Sequence, residues 1–308
     1  MSLLKVEDLK VHFPIRGGIF RTVVDHVRAV DGISFELREG ETYGLIGESG
    51  SGKSTAGKAI LQLTKSTAGS ILFENTNLNH LSKNKMRAFR QEIQMIFQDP
   101  YSSLNPKKRI IDIVAEPMRN FENNTQEEEQ EKVLYFLQKV GLTSDALYKY
   151  PHEFSGGQRQ RIGIARALTL QPKLIVADEP VSALDVSVQA QVLNFLQDLQ
   201  EEFNLTYLFI GHDLGVIRHL CDRIGVMYKG RLVEEGTTED ILTNPQHIYT
   251  KRLIAAIPDI RPEVREEKIQ TRKSVRAEYD QNSSKYFDEN GRPYDLKQIS
   301  DTHRVALP

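Results

Sequence analysis

The chain has 308 residues, 39% of them hydrophobic, with 40 Lys+Arg against 42 Asp+Glu for a formal net charge of −2. That is room for one large domain with an appendage, and the near-neutral balance offers no electrostatic footprint for wrapping nucleic acid. No apolar run approaches the roughly 20 residues that cross a bilayer, the first eight residues lack a signal-peptide core, and the single Cys221 excludes an intrachain disulfide. A cytoplasmic protein is expected, with any membrane contact made through a partner.

In chain order, Leu4, Val6, Leu9, Val11 and Phe13 alternate with polar residues, and residues 29–37 alternate again. These predict antiparallel strands, with Arg16-Gly17-Gly18-Ile19-Phe20 at the tip of a long hairpin. Tyr43-Gly44-Leu45-Ile46 is a short apolar run that predicts a buried strand. The next residues, Gly47-Glu48-Ser49-Gly50-Ser51-Gly52-Lys53-Ser54-Thr55, fit the phosphate-cradling pattern G-x-x-x-x-G-K-[ST], and a helix is predicted to follow from Thr55. In such a loop the backbone N–H groups and the helix N-terminus face phosphate oxygens. Lys53 then reaches the β- and γ-phosphates, and the Ser54 hydroxyl sits on Mg²⁺. Ile71-Leu72-Phe73-Glu74 continues the β-rich part.

The period changes in the middle of the chain. Thr125-Gln126-Glu127-Glu128 is a capping-box pattern, and Val133, Phe136, Leu137 and Val140 make one apolar helical stripe closed by Gly141. Such a stripe faces a core and carries no chemistry. Ser155-Gly156-Gly157-Gln158 precedes a helical pattern of Ile162, Ala165 and Leu168, giving a second anion-binding helix start. One nucleotide needs only one such site; a head-to-tail dimer uses both, the loop of one chain holding the nucleotide while the Ser-Gly-Gly of the other closes over its γ-phosphate.

Leu174-Ile175-Val176-Ala177 is an apolar strand ending in Asp178-Glu179, and residues 206–210 form a second such run. Val188, Val192, Phe195, Leu196, Leu199 and Phe203 mark an amphipathic helix between them, so the three make a βαβ unit. Carboxylates at such a strand end point toward the ligand crevice. Asp178 is placed to hold Mg²⁺ and Glu179 to polarise the attacking water. Residues 226–234 predict a closing hairpin. From Arg261 the composition turns polar and mixed in charge, predicting a loosely packed or partly disordered extension.

With these motifs in this order, the chain resembles the ATP-binding-cassette (ABC) family over about residues 4–245. The resemblance implies an α/β P-loop NTPase fold with a RecA-like core, an antiparallel β subdomain and a helical subdomain inserted at about 98–170. It implies domains at 1–245 and 246–308. It also assigns roles: Gln98 as the glutamine that contacts Mg²⁺ and the attacking water, Asp185 in the loop crossing the dimer interface, His212 as the histidine touching the γ-phosphate, and Phe13 as the aromatic on the adenine. Phe154 and Gly211 depart from the usual leucine and serine, at positions whose side chains donate nothing to phosphate.

The segments 98–106 and 244–253 resemble the peptide and nickel importer branch, and most fully the ATP-binding subunit of oligopeptide importers. That implies an ATPase using ATP and Mg²⁺ at the cytoplasmic membrane face. Its partners would be a second, homologous ATPase, two permease subunits and an extracytoplasmic peptide-binding protein. The cysteine-rich tail of some relatives is missing here, so no iron–sulfur cluster transfers. The alternative is an ABC ATPase without a membrane partner, acting in DNA repair, chromosome organisation or translation. One P-loop, one Ser-Gly-Gly-Gln, no long heptad stretch and no basic excess weigh against it. A small-molecule kinase would leave Ser155–Gln158 and His212 unexplained.

Overall fold

The computed structural model describes residues 2–256 and 265–308. They divide into two compact units, one of Ser2–Leu37, Thr42–Asn79 and Ile210–Pro308, the other of Arg38–Glu41 and His80–Phe209.

In the first unit β1 (Ser2–Gly17) and β2 (Thr22–Arg38) form the long hairpin, turned by an Arg21 N–H to Gly18 carbonyl bond of 3.2 Å. The buried set on β1 changes parity between Val6 and Leu9, which an unbroken strand forbids. A register shift between Glu7 and Lys10, with Asp8 at φ 44°, absorbs the extra residue as a bulge. Beyond Phe13 both strands leave the core, and Ile15, Ile19, Phe20, Val23, Val24 and Val27 are exposed. β3 (Thr42–Ile46) is buried at every position and leads into α1 (Lys53–Ile60), which begins two residues earlier than the pattern predicts. β4 (Ala68–Phe73) pairs antiparallel with β1 and with the short β5 (Thr76–Asn77), giving the sheet order β2-β1-β4-β5.

The second unit opens with α2 (Lys83–Glu92) and β6 (Ile93–Ile96). Four helices follow: α3 (Pro100–Ser103), α4 (Ile110–Phe121), α5 (Gln126–Lys139) and α6 (Gly156–Leu168). The capping box at Thr125 and Glu128 is present, and Gly141, at φ 71°, follows the C-cap of α5. Ile113, Val114 and Met118 of α4, Val133, Phe136 and Leu137 of α5, and Ile162 and Ala165 of α6 build a helical core. β7 (Leu174–Asp178) runs parallel to β6, and α7 (Val186–Phe203) connects it to its other neighbour, β8 (Thr206–Gly211).

β8 carries the chain back into the first unit, where α8 (Leu214–Leu220), β9 (Arg223–Tyr228) and β10 (Arg231–Thr237) follow. β9 is parallel to β3 and antiparallel to β10. Then come α9 (Thr238–Thr243), α10 (Ile248–Ala255), α11 (Arg265–Asn282), β11 (Leu296–Gln298) and β12 (Arg304–Ala306).

The described part of the extension, from Arg265, carries defined elements where the composition predicts a loosely packed or partly disordered stretch. β12 pairs with β10 through Glu234–Val305 and Glu235–Arg304, and β11 pairs with β12. Val305 and Ala306 are fully buried, while the Nε2 of buried His303 lies 2.7 Å from an oxygen of fully buried Glu234. Two short strands anchored by one polar pair leave no periodicity long enough to read. Residues 257–264 of the same stretch lie outside the described residues.

Candidate functional site

The phosphate-loop motif occupies the turn between β3 and α1, in the first unit. Gly52 sits at φ 105°, and a Cβ there would lie 2.0 Å from the Ala29 carbonyl oxygen, so only glycine fits. The first turn of α1 carries no acidic residue, which leaves the positive end of the helix uncompensated by its own side chains. Lys53 is 4% exposed, and its Nζ donates to the carbonyl oxygens of Gly47 at 2.8 Å and Glu48 at 2.9 Å. The ammonium is thus folded onto its own loop. Gly230 N–H donates to the Ser51 carbonyl at 2.9 Å. Ser54 and Thr55 occupy the first turn of α1, and Ser49 and Gly50 form the exposed outer bend.

Two further candidates belong to this unit. His212 is exposed directly after β8, and Asp213 beside it caps α8 by accepting Gly215 N–H at 2.8 Å. Phe13 is 44% exposed where the hairpin leaves the core. Its ring is accessible for stacking.

The second unit holds the other candidates. β7 is buried throughout and delivers Asp178, 4% exposed, at its C-terminal end. Glu179 follows at φ 47°, a left-handed conformation costly for a residue with a side chain and concentrated at functional sites. Gln98 Nε2 donates to Glu179 Oε2 at 2.9 Å, so the two residues predicted to handle the attacking water are in contact. The backbone bend is secured by Ser182, whose N–H and hydroxyl both reach the Glu179 carbonyl, at 3.2 and 3.0 Å. Gln189 Nε2 then donates to the Val181 and Leu184 carbonyls at 3.0 and 2.9 Å, and Asp185 stands at the N-cap of α7.

Ser155 is the N-cap of α6. Its Oγ accepts Gln158 N–H at 3.3 Å, and Gln158 Oε1 accepts Ser155 N–H at 2.9 Å. This capping box satisfies part of the helix start from within the motif. A Cβ on Gly157 would lie 2.2 Å from Val188 Cγ1, so that glycine is required by the approach of α7. The sequence pattern assigns both glycines to anion binding and gives no sign of this packing need. Gly156 has more room, Leu184 Cδ2 standing 3.8 Å from its Cβ position. α6 also moors the segment after β6. Arg159 lies over the Tyr101 ring at 4.0 Å, and Arg166 donates to the Ser103 carbonyl at 2.6 Å.

Sequence reasoning misses one set of contacts to the phosphate loop altogether. Tyr249 Oη accepts the Glu48 N–H at 3.0 Å, and Arg252 Nη2 lies 2.7 Å from Glu48 Oε1. A tyrosine and an arginine at helical spacing, some two hundred residues downstream, give no signal of such a contact.

Comparison with known proteins identifies the family. The ABC transporter family matches residues 30–182, and the oligopeptide/dipeptide transporter C-terminal region matches residues 233–292. The chain is 50% identical to the oligopeptide transport ATP-binding protein OppF of Lactococcus lactis subsp. lactis (strain IL1403), over 100% of this chain and 96% of that protein. It is 55% identical to the oligopeptide transport ATP-binding protein AppF of Bacillus subtilis (strain 168), over 83% of this chain and 78% of that protein.

Among solved structures it resembles the dimeric post-hydrolysis state of the ATP-binding cassette MJ0796 bound to ADP and Pi, with a TM-score of 0.68 and 28% identity. That match covers 76% of this chain and 98% of the other. It also resembles cbiO1 from Clostridium perfringens, part of the ABC transporter complex cbiONQ, with a TM-score of 0.69 and 27% identity, over 82% and 95%. The chain belongs to the ABC transporter family, in the branch of ATP-binding proteins that carries the oligopeptide/dipeptide transporter C-terminal region. It is an ATP-binding, ATP-hydrolysing transporter subunit. Among the described residues no helix is long and apolar enough to cross a membrane.

Proposed function

We propose that this ATPase powers the uptake of oligopeptides from the cytoplasmic face of the cell membrane. The observation that carries the reading is the pairing of an ABC cassette with the oligopeptide/dipeptide C-terminal region on one chain, at 50% identity to an oligopeptide transport ATP-binding protein over its whole length. The partners in this reading are a second, homologous ATPase, two transmembrane permeases and an extracytoplasmic peptide-binding protein. The dimeric MJ0796 cassette supports the two-cassette arrangement. Ser155, Gly156, Gly157 and Gln158 of this chain then close on a nucleotide held by the partner ATPase, and Asp185 lies along that interface.

In the proposed site the 47–55 loop wraps the phosphates, Lys53 leaves its loop carbonyls for the β- and γ-phosphate oxygens, and Phe13 stacks on the adenine. Glu179 accepts a proton from the water as its oxygen attacks the γ-phosphorus, and ADP leaves in line. Gln98 holds the Glu179 carboxylate through its amide N–H and keeps its amide oxygen for other partners. His212 steadies the γ-phosphate. The residues that would hold Mg²⁺ in this reading are Ser54 through its hydroxyl, Asp178 through its carboxylate and Gln98 through its amide oxygen, all of them the oxygen donors that ion prefers. When bound, that ion neutralises charge on the phosphate oxygens.

A mild-detergent pull-down from native membranes, with this chain as bait, tests the reading. Two polytopic permeases and a second ABC ATPase are expected, and the binding protein would report the substrate class. Recovery of the chain with nucleic-acid enzymes and without permeases would overturn the importer reading.

A further inference from the structure

The C-terminal region that sets this branch apart makes direct contact with the phosphate loop. α10 starts at Ile248, with His247 as its N-cap, the Nδ1 accepting Tyr249 N–H at 3.1 Å. The start of this helix is anchored from β10, where the Glu234 carboxylate accepts Gln246 N–H at 2.6 Å and His247 N–H at 3.0 Å. His303, just before β12, closes the other side of the same carboxylate at 2.7 Å. Tyr249 is therefore delivered from a buried helix start whose two backbone N–H groups, at Gln246 and His247, are tied to Glu234. Its ring packs on Tyr228 at 4.5 Å between centroids, and its hydroxyl accepts the N–H of Glu48. One helical turn on, Arg252 pairs with the Glu48 carboxylate while lying over the rings of Tyr249 and Tyr279 at 5.5 and 4.4 Å. Lys251 meets Glu278 of α11 at 3.2 Å, so the outer side of α10 is held as well.

Glu48 is thus gripped by its backbone donor and by its side chain, and its third polar group, the carbonyl, accepts Lys53 Nζ. Glycine-rich loops are conformationally permissive, and phosphate binding gains when their geometry is set in advance. The Gly230 N–H fixes the loop further along, at Ser51, and does not touch Glu48. We propose that Tyr249 and Arg252 are positioning residues for the phosphate loop, fixing Glu48 and through its carbonyl the resting place of the Lys53 ammonium. The extension thereby sets the affinity of its own chain for ATP. This rests on the reading of 47–55 as the ATP-binding loop.

The test measures ATP affinity by equilibrium dialysis, and KM and kcat for hydrolysis, on the full chain. Tyr249→Phe and Arg252→Met each remove one grip; each should weaken ATP binding and raise KM about threefold to tenfold, the scale of one net hydrogen bond or ion pair, with kcat changed less. Arg252→Lys, which keeps a cation facing the Glu48 carboxylate, should lose less than Arg252→Met. A general loss of packing would not rank these two variants by charge. Amide exchange at Glu48 should accelerate in Tyr249→Phe, a readout independent of turnover. Unchanged ATP affinity, KM and Glu48 exchange in folded variants would overturn the proposal, as would equal losses in Arg252→Lys and Arg252→Met. Lys53→Ala runs alongside: full nucleotide binding there would bring down the loop reading itself, a separate outcome.

Discussion

The Gln98 amide nitrogen donates to the Glu179 carboxylate at 2.9 Å, joining the second residue after β6 to the residue that follows β7. Glu179 is held in an unfavourable left-handed backbone conformation by Ser182, so its carboxylate direction is set by both main chain and side chain. Glu179→Gln keeps an oxygen to accept the Gln98 bond and removes only the basicity. ATP should still bind, and hydrolysis should slow by about 10²–10⁴, roughly 3–5 kcal/mol of barrier, the scale of a lost general base. Single-turnover hydrolysis decides it; an unchanged rate would move the base to another residue.

Lys53→Ala deletes an ammonium that bridges the Gly47 and Glu48 carbonyls. Nucleotide affinity should fall and turnover should be lost, because no other cation in the motif can follow the phosphates. Filter-binding and phosphate-release assays report the two separately. Full ATPase activity in the variant is the result that would refute the assignment.

Much of the fold is legible from local pattern. The loop motif is flanked by a buried strand and a helix as expected, the capping box at Thr125 forms, and the strand–helix–strand run from Leu174 is present. What escapes is non-local. The bulge at Asp8 shows in sequence only as a slip of parity between Val6 and Leu9. The folded extension depends on His303 meeting Glu234 across 69 positions, and the grip on Glu48 spans 201 and 204 positions. Periodicity reports which side of an element is buried, but no local spacing reports which distant element covers it.

Gly157 separates packing from ligand binding. Gly157→Ala drives a methyl into Val188 Cγ1 and should destabilise the unit of α6 and α7 by about 1–3 kcal/mol, as overpacking does. Val188→Ala in the same chain removes the obstructing methyl and should restore most of the melting temperature. If ATPase activity of the assembled transporter returns with it, the glycine serves the helix contact. If stability returns and activity does not, Gly157 also approaches the nucleotide too closely for a side chain.

His247 gives the fold a built-in acid sensitivity. Its ring is fully buried, with the edges of Tyr286 and Phe287 centred at 5.0 and 5.9 Å. Nδ1 is occupied as the cap of α10, so the proton sits on Nε2, which has no hydrogen-bond partner among the described residues. Burial lowers its pKa from 6.5 to about 3. The unfolded chain therefore takes up a proton below pH 6.5 that the folded chain refuses until about pH 3. Stability from this group is complete above pH 6.5 and falls steadily as pH drops through the window between those values. The loss comes to about 2 kcal/mol by pH 5. His247→Asn keeps a capping oxygen for Tyr249 N–H and removes the titration. Urea melts at pH 8 and pH 5 should show the wild-type advantage over the variant shrinking by about that amount. An advantage independent of pH would mean that the folded protein accommodates a charged imidazole there.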